Sequence, residues 1–263
     1  MKLTIIGAGN IGGAIALGLS KSKIISEYDI CCADRSTETL ERLQAACDNI
    51  TATTDNLQAV EDADIVVIAV KPWFVEDVIN EIKNSLDYRK QTIVSIAAGV
   101  EFAQLCGFLR KDSDELPPLF RIIPNTAIEV RESVNFVSVY KASAEQTATI
   151  ERIFKELGLT IIIEERLMRS GTALASCGIA YAFRYIRANI ECAIELGLYP
   201  EQAKRIMMQT LKGAITLLDV NNSHPEAEID RVTTPGGITI KGLNAMEEAG
   251  FTQSIIKGLK ASV

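Results

Sequence analysis

Histidine is nearly absent from this chain. His224 is the only one in 263 residues, so a catalytic triad or a histidine-rich metal site would have to rest on one side chain. A basic excess is missing as well. The 27 Lys and Arg stand against 34 Asp and Glu, for a net charge of -7. No Lys/Arg cluster appears, and nucleic-acid binding runs on basic patches, so no nucleic-acid partner is expected. Long hydrophobic runs are lacking too. The N-terminal apolar run ends at Gly7, too short for a signal-peptide core or a membrane span, so no membrane partner is expected either. The six cysteines (Cys31, Cys32, Cys47, Cys106, Cys177 and Cys192) show no C-x-x-C spacing. That pattern speaks against disulfides and a metal site, and for reduced thiols in a cytoplasmic protein.

What remains is an ordinary globular composition, 48% hydrophobic and 23% charged, long enough for two modest domains. The first half alternates two periods. β-rich runs stand at 2–6, 28–33, 63–70, 91–97, 118–123, 133–140 and 159–165. Helix-like stretches lie at 11–21, 36–47, 75–86 and 143–158. Continuous apolar strands between helices predict a parallel sheet covered on both faces. After about residue 165 the strand pattern stops. The stretch 167–197 places Leu174, Gly178, Tyr181, Tyr185, Ala188 and Cys192 at helical spacing, with Phe183, Ile186, Ile190 and Ile194 off that stripe. A helix apolar around so much of its circumference must be covered, and the same helix of a second subunit is the expected cover. Helices follow at 200–219, 239–249 and near 252–261. The reading is an α/β chain: residues 1–165 form a dinucleotide-binding domain and 166–263 an all-helical dimerisation and substrate-binding domain.

The chemistry begins at "TIIGAGNIGGAIALGL". Gly7, Gly9 and Gly12 form G-x-G-x-x-G directly after a strand and at the opening of a helix. Such a loop needs one glycine for the tight turn, one for backbone approach to a pyrophosphate and one for close helix–strand packing. The helix start then offers free N–H groups and a positive dipole to the phosphates. Asp34 ends the second strand, in the position that accepts the ribose hydroxyls of NAD, while Arg35 and Ser36 follow at once and suit the 2′-phosphate of NADP. NADP and NAD both stay open. "AVKP" brings Val70, Lys71 and Pro72, and "SIAAG" brings Ala97 and Ala98, to the carboxyl ends of two further strands. With Ala8, Asn10, Ile11 and Asn56 these complete the expected cofactor contacts.

The order of "GAGNIG", "AVKP", "SIAAG", "RIIPNT", "TALASCGIAY", "HP" and "TTPGGITIKGLNAMEEAGF" resembles the Δ1-pyrroline-5-carboxylate reductase family over nearly the whole chain. The resemblance implies a Rossmann-type domain, a helical domain that intertwines in a homodimer, and in some members a ring of dimers. It also implies hydride transfer from NAD(P)H to the C=N carbon of a small cyclic imine, giving proline. In the family the stretch matching "TTPGGITI" cradles the substrate carboxylate. That places Thr234, Gly236, Gly237, Ile238 and Thr239 on the substrate, with Thr239 as the residue that orients it and relays a proton. Glu165 corresponds to an acidic residue near the product, against a plain reading as a solvated carboxylate. Cys177 joins the substrate side. His224 belongs to a loop in which Pro225 starts a short helix, and its role is read as structural.

The chain departs from the family chiefly in one segment, and Arg169 stands where an acidic residue is usual. The usual Thr-Ala-Leu-Ser-Gly-Ser-Gly-Pro-Ala-Tyr reads "TALASCGIAY", with Ala175, Ser176, Cys177 and Ile179 substituted. Losing the proline eases an unbroken helix. A reductase of another imine and a catalytically silent nucleotide binder therefore stand as alternatives. A β-hydroxyacid dehydrogenase is disfavoured, because 167–197 carries no lysine to serve as acid/base.

Overall fold

The computed structural model describes residues 1–22, 24, 29–112 and 115–263. Two compact units emerge, Met1–Ser176 and Cys177–Val263. The first is built on one eight-stranded sheet. Its strands are β1 (Lys2–Ile6), β2 (Asp29–Ala33), β3 (Ile50–Thr53), β4 (Ile65–Ile68), β5 (Thr92–Ser95), β6 (Leu119–Ile123), β7 (Ser133–Tyr140) and β8 (Gly158–Ile162). Their order across the sheet is β3-β2-β1-β4-β5-β6-β7-β8. Helices α1 (Asn10–Ser20), α2 (Thr37–Ala46), α3 (Asn56–Val60), α4 (Val75–Ile82), α5 (Phe102–Leu109) and α6 (Ala144–Lys155) connect most of the strands. Two apolar cores lie on the sheet. One gathers Leu3, Ile5, Ile15, Phe120 and Phe154, the other Ile6, Val66, Ile79, Phe102 and Leu119. The central strands β4, β5 and β6 are buried along their whole length, and β1 and β2 beyond their first residue, which is why their sequences read as near-continuous apolar runs rather than an alternation.

The structure differs from the sequence reading in several ways. It adds β3, "ITAT", an edge strand paired with β2. Of the predicted 28–33 strand, Tyr28 lies outside the described residues. The sheet is also mixed. β7 runs antiparallel to β6, and β8 parallel to β7. Only a short 3₁₀ turn, Thr126–Val130, joins β6 to β7, whereas a parallel return needs a crossover of a dozen residues or more. Finally, residues 166–176 stay with the first unit. Met168 packs with Ile123 and Phe136 at the end of the sheet, and Ala175 lies against the same cluster. A Cβ on Gly171 would stand 2.9 Å from the Phe136 ring, so the chain hugs the sheet there.

The predicted single helix over 167–197 is wound in three pieces. α7 (Met168–Gly171) leads into a π-wound turn, Thr172–Cys177, and then α8 (Gly178–Glu195). The second unit continues with α9 (Pro200–Asn221), α10 (Pro225–Val232), α11 (Ile238–Glu248) and α12 (Phe251–Lys260). No residue of α8 is buried. Phe183 is 59% exposed, and Ile215 and Val220 of α9 are 66% and 75% exposed, so within one chain the apolar faces of these helices lie open.

Candidate active site

A cavity of about 670 Å³ opens at the carboxyl ends of β1, β2, β4 and β5. The strand order turns between β1 and β4, and ligands of open α/β sheets bind in the crevice outside such a switch point. Gly7, Gly9, Asn10 and Ile11 form its floor. Gly7 has φ +97°, and a Cβ there would stand 2.8 Å from the Ala69 carbonyl oxygen, so only glycine turns the chain at this point. Gly12 does not line the cavity. A Cβ on it would fall 1.9 Å from the Gly7 oxygen, and its task is to let α1 press on the loop. Gly9 has nothing within 4 Å of where its Cβ would be. The protein itself does not demand a glycine there, whereas a ligand lying on the backbone would. Gly9 caps α1 without a side-chain acceptor, leaving the first helical N–H groups for an anion.

Asp34, Arg35 and Asn56 line the side of the cavity toward β2, and Val70, Lys71, Pro72, Ala97 and Ala98 the side toward β5. The Asp34 carboxylate accepts the Ala8 N–H at 2.7 Å and the Ser36 N–H at 2.9 Å. It therefore fastens the glycine loop to the start of α2 and keeps one free lone pair on each oxygen. Ala8 and Ser36 act through Asp34 rather than by lining the cavity, and the Ser36 hydroxyl caps α2 by accepting the Thr39 N–H. The Arg35 guanidinium lies 4.8 Å above the Phe74 ring. Asn56 donates to Glu81 at 2.9 Å. Phe74, just before α4, and Asp77, Val78 and Glu81 on it form a wall that the sequence reading missed. The spacing 74, 77, 78, 81 is one helical face, and that was the available signal.

A second cluster lies at the same edge of the sheet. Glu165 Oε1 accepts from Arg121 Nη1 at 2.6 Å and from the Phe102 N–H at 2.7 Å. Arg121 is almost fully buried, and the Glu165 side chain is about a third exposed. Glu165 is thus no freely solvated carboxylate: it neutralises a buried guanidinium that the sequence reading passed over within "RIIPNT".

The second unit carries the glycine pair. Thr234, Pro235, Gly236 and Gly237 form a β-turn closed by the Gly237 N–H on the Thr234 oxygen at 2.9 Å. Gly236 has φ +72°, the third position of a type II turn, with proline before it as that turn favours. A Cβ on Gly237 would meet Thr234 Oγ1 at 2.7 Å. Gly237 caps α11 without a side-chain acceptor, so the N–H groups of Ile238 and Thr239 open a helix, and both residues are exposed. Cys177 is half-buried at the end of the π-wound turn. His224 Nδ1 accepts the Glu226 N–H at 3.2 Å and caps α10.

Comparison with known proteins follows this geometry. Residues 165–263 match the family model "pyrroline-5-carboxylate reductase dimerisation", and residues 2–99 match "NADP oxidoreductase coenzyme F420-dependent". Pyrroline-5-carboxylate reductase 2 of Dictyostelium discoideum is 37% identical over 274 residues, covering 99% of this chain and 90% of that protein. The chain belongs to the pyrroline-5-carboxylate reductase family. Pyrroline-5-carboxylate reductase 1 of the same organism is 38% identical over 99% of this chain, which spans 48% of that relative's length. The pyrroline-5-carboxylate reductase structure from Coxiella burnetii superposes with a TM-score of 0.87 at 31% identity, covering 99% of this chain and 95% of that one. As in that fold, a Rossmann-like sheet precedes a helical region. Among the described residues no helix is long and apolar enough to cross a membrane.

Proposed function

We propose that this chain reduces Δ1-pyrroline-5-carboxylate to proline with NADPH or NADH. The observation that carries the reading is the cavity at the sheet's switch point, floored by the glycine loop, in a chain alike from end to end to a protein of that name. The cavity fits a dinucleotide: its floor is bare backbone at Gly9, its helix start is uncapped, and Asp34 and Arg35 stand ready for the adenosine ribose. When bound, the reduced nicotinamide supplies the hydride that the imine carbon accepts. A protonated imine is already an electrophile, so the protein's work is to place it and exclude water.

We assign nucleotide binding to residues 1–165, and substrate binding and dimerisation to 166–263. The bare turn Thr234–Gly237 and the first N–H groups of α11, at Ile238 and Thr239, receive the substrate carboxylate. The Thr239 hydroxyl orients the ring nitrogen and hands it a proton. Glu165 and Cys177 lie on the substrate side. The open apolar faces of α8 and α9 support a homodimer, and sedimentation separates a dimer from a ring of dimers. Six free cysteines fit a cytoplasmic location. The decisive experiment is a turnover assay of the purified protein with the imine and each reduced dinucleotide, following loss of nicotinamide absorbance and appearance of proline. Cofactor binding without turnover would reject the reductase reading.

A further inference from the structure

The π-wound turn Thr172–Cys177 is held at both ends by side-chain hydrogen bonds. In α winding each N–H reaches the carbonyl four residues back. In π winding it reaches the fifth, so the turn takes in one extra residue, and such turns cluster at functional sites. Thr172 Oγ1 donates to the Met168 carbonyl at 2.7 Å, a bond that competes with the regular ladder. At the other end, the Ser176 hydroxyl donates to the Pro124 carbonyl at 2.9 Å, and the Asn125 amide reaches the Ala175 carbonyl at 3.4 Å. Both Pro124 and Asn125 lie just beyond β6. Gly171 against Phe136 and Met168 in its cluster press the preceding turn onto the sheet.

The position is informative. β5 and β6 are parallel neighbours, so their carboxyl ends share one edge. The end of β5, at Ile96, Ala97 and Ala98, lines the cofactor cavity. Asp34 at the end of β2 marks the adenosine half and the glycine loop marks the pyrophosphate, so the nicotinamide half extends toward β5. The next strand outward is β6, and the segment tied to its end is the π-wound turn.

We propose that this turn is the substrate-side wall of the reductase site, and that Ser176 is the positioning residue that holds its register through Pro124. The Ser176 hydroxyl is the turn's own side-chain bond to the residues just beyond β6. The proposal rests on the reductase reading above.

The test compares Ser176→Ala with Ser176→Thr. Dinucleotide affinity is read from quenching of Trp73, the chain's single tryptophan, which is 70% exposed between cavity-lining Pro72 and Phe74. Ser176→Ala should raise KM for the imine about fivefold or more, the loss expected from one net hydrogen bond. The dinucleotide Kd should stay within about twofold and Ser176→Thr should restore KM. An active wild type with KM unmoved in Ser176→Ala overturns this proposal alone. So does a joint rise of KM and the dinucleotide Kd, which marks a general loosening, or a Ser176→Thr variant as impaired as Ser176→Ala. A wild type that binds dinucleotide and reduces no imine overturns both this proposal and the reading it rests on.

Discussion

The two units of this chain treat apolar residues in opposite ways. In Met1–Ser176 both faces of the central strands are sealed, with Ile5, Val66, Ile79 and Phe120 fully out of solvent. In Cys177–Val263 the only buried apolar residue among those described is Ala203, although α8 and α9 are rich in Ile, Leu, Phe and Tyr. Each buried large side chain contributes about 1.5–3 kcal/mol, so the first unit has its stability within itself. The second has apolar surface waiting for a cover. The first unit's sequence therefore specifies a fold, whereas the second unit's specifies a fold together with a partner.

The largest expected effect comes from breaking the sealed unit at its tightest point. Gly12→Ala puts a methyl 1.9 Å from the Gly7 oxygen and must displace the loop. Dinucleotide affinity should fall about 100-fold or more, as a packing cost of a few kcal/mol implies, while self-association measured by sedimentation survives. If the same variant dissociates, the two units are not independent. Next is the open unit. Ile215→Asp adds a charge on a face that is exposed in the single chain, so it spares the lone fold. Burying that charge in a dimer is expensive. Self-association should weaken by about 10- to 100-fold, and Tm should fall and depend less on protein concentration. An unchanged sedimentation profile would place the interface elsewhere.

A smaller effect is expected at the glycine turn. Thr239→Ala should lower turnover about five- to tenfold, the value of one hydrogen bond, with dinucleotide Kd unchanged. Equal turnover in the variant would remove Thr239 from the site. The smallest effect is silent at neutral pH. Burial, reinforced by Cys31 and Asp34, pushes the Cys32 thiol up to about 12. The folded state then holds a proton that the unfolded chain gives up near pH ~8.5. That contribution to stability is fully present below the unfolded value and is lost as pH rises toward 12. Thermal melting of Cys32→Ala should show a flatter decline above pH ~9 than the parent. Parallel declines would mean that the thiol is not protonated by burial.

How far the sequence could be read follows the same divide. The glycine loop, Asp34 and the strand ends were legible because a local backbone need leaves a local mark, as at Gly7 and Gly12. β3 was not, since "ITAT" offers one large apolar residue, Ile50, and edge strands need little burial. The direction of β7 was hidden as well, because an apolar strand reads the same both ways and only the short link from β6 betrays it. The π-wound turn leaves helical spacing intact on either side and is set by Pro124 and Asn125, about fifty residues earlier in the chain. The α4 wall and the Arg121–Glu165 pair likewise depend on contacts between elements that composition does not record. Of the candidate substrate residues, the turn Thr234–Gly237 was the most legible, because proline before glycine is itself the signal of a type II turn.

Asp34 has a consequence for anyone wishing to re-engineer cofactor choice. Its carboxylate is a clasp for the Ala8 and Ser36 amides as well as part of the cavity lining. A designer who exchanges it for a neutral or basic residue to favour one dinucleotide also unclasps the glycine loop that floors the cavity. A useful redesign should therefore leave Asp34 in place and work at Arg35, whose guanidinium rests on Phe74 and can be altered without opening the loop.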